Sequence, residues 1–177
     1  GMTQRQIANR IRGPAVDIED VPDNRRFDGA LTDLALEYLQ KADAQKSPFF
    51  LAVGFILPHL PWTPPERYWD LYDQAKIPLA TNDSLPKGMP AVAFGDRSMG
   101  GMYELMDCMD LKNPPSPFDG SLTEDQRRRL KHGYYASVSF VDAQVGRLME
   151  ELNRLGLEEN TIVVLWGDHG WKLGEHN

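Results

Sequence analysis

Two short stretches of this chain carry residues that could do chemistry. The first is Asp168-His169-Gly170, which follows directly on the apolar run Thr161-Ile162-Val163-Val164-Leu165-Trp166. A carboxylate is a hard oxygen donor suited to calcium or magnesium. An imidazole beside it can be a second ligand or can donate to an anion on the metal. Gly170 lets a neighbouring backbone come close. The structural alternative is that Asp168 caps the turn that follows and His169 only packs. The second stretch is Pro58-His59-Leu60-Pro61. Prolines on both sides restrict the backbone to extended or turn geometry and so set the direction of the imidazole. A histidine held in this way can act as a general acid or as a donor to an anionic oxygen. The alternative is a bond from the ring to a loop carbonyl.

The remaining reactive groups read more simply as structural. His132 lies in mid-helix between Lys131 and Gly133 and suits packing or the surface. Glu175 and His176 suit bracing of a terminal loop, and Lys172 suits solvent. Cys108 has no histidine or cysteine near it in sequence. The run Arg127-Arg128-Arg129 suits a solvated helix face.

Both stretches need elements to hold them. Phe49 to Phe55 is continuously apolar between Pro48 and Pro58, as expected of a strand covered on both faces in a parallel sheet. Residues 161–166 repeat that pattern. Ligands in open α/β sheets sit beyond the carboxyl ends of strands, where both motifs fall. Leu31, Leu34, Ala35, Tyr38 and Leu39 predict a helix that starts near Phe27 and ends before Ser47-Pro48. Pro64-Pro65-Glu66 opens a short helix, with prolines in its first turn. Thr123 and Gln126 have capping-box spacing. Leu130, Tyr134, Val138, Val141, Val145, Leu148, Leu152 and Leu155 then predict an amphipathic helix of about 33 residues, roughly 50 Å long. Gly156 stands where a left-handed C-cap is wanted. Residues 1–26 read as an irregular N-terminal segment and 74–121 as a long loop insertion rich in proline and glycine. The order of helices and strands implies α/β layering. Two strands do not make a stable sheet, so more chain or a partner is expected to pair with them.

The bulk composition narrows the function classes. With 177 residues and 41% hydrophobic content the chain can build one domain core. Its mean hydropathy is −0.47. The longest apolar run, 49–57, is nine residues, against about 20 for a bilayer span, so no membrane role is expected. A net charge of −7 argues against nucleic acid, which calls for a basic face. It also disfavours an anionic ligand unless a bound cation reverses the local field. A single cysteine forbids an internal disulfide.

Three segments together resemble the sulfatase family, closest to its iduronate-2-sulfatase-like branch. They are Pro48-Phe49-Phe50-Leu51-Ala52-Val53-Gly54-Phe55 with Pro58-His59-Leu60-Pro61, then residues 134–147 (YYASVSFVDAQVGR), then residues 160–176 (NTIVVLWGDHGWKLGEH). The resemblance implies an alkaline-phosphatase-like α/β sandwich with a mostly parallel central sheet and helices on both faces, incomplete in this chain. It implies calcium-assisted hydrolysis of sulfate esters such as sulfated sugars. Asp168 then resembles the family's downstream calcium carboxylate, and His169 its neighbour at the metal, where many sulfatases carry Asn. His59 resembles the histidine that contacts the sulfate. Lys172 does not match the family's lysine position. The family's nucleophile signature, Cys/Ser-x-Pro-x-Arg, does not occur; Cys108 is followed by Met109 and Asp110. The chain therefore reads as residues 1–177 of partial catalytic domain, expected to show no turnover in isolation. Two alternatives stay open. One is a phosphoester or phosphonate hydrolase of the same superfamily. The other is a non-catalytic remnant that binds sulfated glycan or self-associates through unpaired sheet edges. The compartment is undecided, although the family is often exported or lysosomal.

Overall fold

The computed structural model describes residues 15–46, 48–84, 86–90 and 123–175. Cys108, His176 and most of the 74–121 segment lie outside them. Among the described residues three α-helices form: α1 (Phe27–Gln45), α2 (Glu66–Trp69) and α3 (Glu124–Arg154). Single turns of 3-10 helix stand at Asp23–Arg25, Gln74–Lys76 and Glu158–Asn160.

The ends of α3 follow from local chemistry. Thr123 Oγ1 accepts from Gln126 N at 3.3 Å, and Gln126 Oε1 accepts from Thr123 N at 2.8 Å. The expected capping box is thus complete, and it satisfies donors that no helical carbonyl can reach. At the other end Gly156 has φ +69°. Gly156 N donates to Asn153 O at 2.9 Å and Leu157 N to Leu152 O at 2.9 Å. Those two bonds make a Schellman motif, which needs the left-handed conformation that glycine supplies.

α3 is the spine against which the rest packs. Its buried side follows the aliphatic stripe expected from sequence only in part, at Leu130 and Leu152. Gly133, Ala136, Ser137, Phe140 and Gln144 are buried, whereas Val138 is exposed. Small residues let the neighbouring chain come close. A β-carbon on Gly133 would stand 3.1 Å from both the Trp62 ring and Val16 Cγ2. The core gathers there from Ala15, Val16, Leu57, Leu60, Trp62, Tyr68, Leu130, Ala136 and Phe140.

α1 lies against α3 through Arg147–Asp33 and through Gln40 Nε2, which donates to Glu151 Oε1 at 2.8 Å. Only part of its expected stripe is covered: Ala35 and Leu39 are buried, while Leu34 and Tyr38 face solvent, as does Phe27 at the helix start. The Asp23 carboxylate ties three elements together. Its Oδ2 accepts from Tyr68 OH at 2.8 Å and from Gln144 Nε2 at 2.9 Å, and pairs with Arg67.

The described residues form no sheet. Backbone pairing is limited to two isolated parallel bridges, Val16 with Trp62 and Glu19 with Pro65. The runs expected as buried strands, 49–55 and 161–166, have no regular secondary structure or strand partner, and much of their apolar surface is open. Phe50 is 94% exposed and Ile162 92%. The physical reason is that neither run is paired with the other, and a strand becomes buried only when neighbours take up its N–H and C=O groups.

Candidate functional site

The loop after residue 56 is built tightly. Leu57–Pro58 and Leu60–Pro61 are both cis. His59 N donates to Ile56 O at 2.9 Å. Beneath it the Trp62 ring is buried, and its Nε1 donates to Pro58 O at 2.8 Å. His59 itself is exposed. Its Nδ1 lies 2.6 Å from Leu60 O. A carbonyl can only accept, so Nδ1 carries a proton and Nε2 is the atom left for other chemistry. The ring thus does bond a loop carbonyl, and that bond aims the second nitrogen rather than consuming the residue.

The loop after residue 166 has a similar plan on a more open base. Asp168 Oδ1 accepts from His169 N at 2.9 Å. His169 Nδ1 donates to Gly170 O at 3.1 Å. In the neutral ring that leaves the Nε2 lone pair, which stands 3.8 Å from Asp168 Oδ2. Two electron-pair donors so close, on exposed side chains, suit a shared cation better than each other. Among the described residues no cluster of three or more His, Cys, Asp or Glu side chains could hold a metal ion. Calcium takes about 6–8 oxygen ligands, more than this pair could offer by itself. Further along, Leu173 N donates to Glu175 Oε2 at 2.6 Å, so Glu175 braces the loop as expected. Lys172 is exposed.

Trp171 brings the two loops together. Its ring meets His59 edge-on at 6.0 Å between centroids, and Trp62 at 6.3 Å. No hydrogen bond or ion pair among the described residues joins Asp168 or His169 directly to His59. Trp62 and Trp171 were not singled out from sequence. Their common signal was an aromatic residue three positions after the reactive one, Trp62 after His59 and Trp171 after Asp168.

His132 is structural, in the packing role expected of it. It is buried and stacked on Trp69, with centroids 3.5 Å apart. The arginine run is more engaged than a solvated face: Arg127 pairs with Asp83, Arg128 with Glu124, and Arg129 lies over the Trp69 ring.

A family model described as Sulfatase matches residues 5–177. The chain is 38% identical over 161 residues to iduronate 2-sulfatase of Homo sapiens, covering 91% of this chain and 28% of that protein. It is 35% identical over 132 residues to a sulfatase of Formosa agariphila, covering 73% of this chain and 23% of that protein. It is 29% identical over 143 residues to an arylsulfatase of Clostridium perfringens, covering 81% of this chain and 26% of that protein. The chain thus spans less than a third of the length of these curated relatives.

Proposed function

The chain belongs to the sulfatase family, and from that membership we propose that it is part of an enzyme that hydrolyses sulfate esters. The family match across residues 5–177 is the observation that carries this reading. Membership implies an alkaline-phosphatase-like α/β fold, in a family that is in general metal-dependent. We assign the extended runs 49–55 and 161–166 to its central parallel sheet, with 1–26 as the segment leading in and 74–121 as an insertion. The likeness to iduronate 2-sulfatase favours a sulfated sugar as substrate.

In this reading Asp168 and His169 supply two donors to a calcium ion, completed by groups from other parts of the protein. Calcium would neutralise charge on the sulfate oxygens and so reconcile an acidic protein with an anionic substrate. The donor chemistry suits the role in part: Asp168 Oδ2 is a hard ligand, and the neutral His169 ring offers Nε2. His59 faces the sulfate. Because its Nδ1 proton is committed to Leu60 O, donation from Nε2 requires the doubly protonated ring. As the imidazolium it holds a sulfate oxygen, or passes the Nε2 proton to the departing ester oxygen. Trp171 and Trp62 keep the ring in that orientation.

The test is turnover of an aryl sulfate by the sulfatase that carries this sequence, with and without calcium. His59→Ala is expected to lower kcat/KM by roughly 10²–10³-fold. Asp168→Asn is expected to lower it and to raise the calcium concentration needed. Equal turnover by wild type and His59→Ala would refute the assignment.

A further inference from the structure

Asp28 lies far from His59 in sequence, yet the two are joined through a single peptide group. Asp28 is 2% exposed. Its Oδ1 accepts from Ile56 N at 2.9 Å and its Oδ2 from Leu57 N at 2.9 Å. The peptide unit between Ile56 and Leu57 therefore gives its N–H to Asp28 and, through Ile56 O, accepts from His59 N at 2.9 Å. Resting on the reading of His59 given above, we infer that Asp28 is the positioning residue for His59. It clamps the end of the extended run so that the proline-flanked turn presents its imidazole at one angle.

The base of the clamp is rigid. Asp28 is in the first turn of α1, where a negative charge is favoured by the helix dipole. Its own carbonyl accepts from Thr32 Oγ1 at 2.8 Å, and Thr32 is fully buried. Gly29, next in sequence, lies so close to Asp23 O that a β-carbon would stand 2.0 Å from it. A buried carboxylate that accepts two adjacent backbone N–H groups makes strong, charge-assisted bonds, and its angular freedom is small. An orientation set at Ile56 and Leu57 is carried through the peptide plane to His59 N. The Nδ1 contact with Leu60 O at 2.6 Å depends on that backbone geometry.

The experiment is nitrogen-15 NMR on the sulfatase that carries this sequence, labelled selectively at histidine, isoleucine and leucine. It reads the His59 ring tautomer and the exchange rates of the Ile56 and Leu57 amides. In the neutral ring of wild type the proton is expected on Nδ1, with slow exchange at Leu57. Asp28→Asn keeps the shape but turns a donor toward one of the two N–H groups. It is expected to speed exchange at Ile56 or Leu57 by about tenfold or more and to move His59 toward the tautomer protonated on Nε2. Thr32→Val loosens the same helical turn without touching the clamp. It is expected to lower Tm and leave the tautomer as in wild type. An unchanged tautomer in Asp28→Asn overturns the inference, whatever happens to Tm. So does an equal tautomer change in Thr32→Val. If Asp28→Asn does not fold, Asp28→Glu takes its place: it keeps both acceptors but displaces them by one methylene, and the same two readings decide. No sulfate is involved. If the tautomer follows Asp28 while His59→Ala retains full sulfatase activity, the clamp stands and the sulfate assignment falls.

Discussion

His132 donates its Nε2 proton to Trp69 O at 2.9 Å and leaves Nδ1 buried with no partner among the described residues. Burial holds its pKa below the usual histidine value. Arg129 pushes the same way, and the Trp69 carbonyl, Asp70 and Asp73 oppose it. The folded ring is therefore neutral, while the unfolded chain takes up a proton near the ordinary value of about 6.5. The sign follows from linkage. The contribution to stability is present above that unfolded value and is lost as pH falls through the lower folded one. Melting temperature should thus drop between about pH 7 and pH 5. His132→Gln, which keeps an N–H for Trp69 O, should cost about 1–2 kcal/mol at pH 7.5 and flatten the profile. An equally steep profile in the variant would remove His132 as the cause. Sequence placed this residue on the right helix but could not show its stacking partner, because Trp69 is on another element. The contacts of Asp28, Trp62 and Trp171 were hidden for the same reason: they join separate segments of the chain. The exposed placement of His59 and Asp168 just past two extended runs was legible because proline, glycine and a preceding apolar run mark them locally.

Helix ends were legible and helix faces less so. The capping box at Thr123 and the left-handed Gly156 depend on neighbours within a few residues, so spacing alone reveals them. The covered side of α3 depends on what approaches it. Small and polar residues at Gly133, Ser137 and Gln144 were passed over in favour of Val138, since periodicity ranks residues by hydropathy and not by the room they leave. The start of α1 shows the same effect more sharply. A β-carbon at Gly29 would meet both Asp23 O and the carbonyl carbon, at 2.0 and 2.4 Å. Backbone cannot swing aside as a side chain can. Gly29→Ala should therefore destabilise the chain by about 3 kcal/mol, against the gain in helix propensity that alanine brings elsewhere. Urea unfolding measures it, and a midpoint at or above wild type would show that the Asp23 turn moves freely.

At the scale of the molecule, the expected helices are present and the expected sheet is not formed among the described residues. Apolar continuity identified the strand-like runs, but burial of a strand is a property of the sheet around it. Phe50, Ile162, Leu165 and Trp166 are 94%, 92%, 73% and 79% exposed. Apolar surface of this extent is stabilised by cover at about 25 cal/mol per Å², and unpaired strand-like backbone invites edge pairing. The 177-residue chain alone should thus scatter light as species above its 20.0 kDa mass, with the excess rising with concentration. Ile162→Lys with Val164→Lys should reduce it. Monomers at every concentration would show that these runs are quiet in water. The indole of Trp171, meanwhile, leans on His59 and on Trp62 while staying partly open to water. That gives the gap between the two loops a built-in fluorophore: a charged guest settling there, or a change in the charge on the imidazole, would alter emission without any added dye.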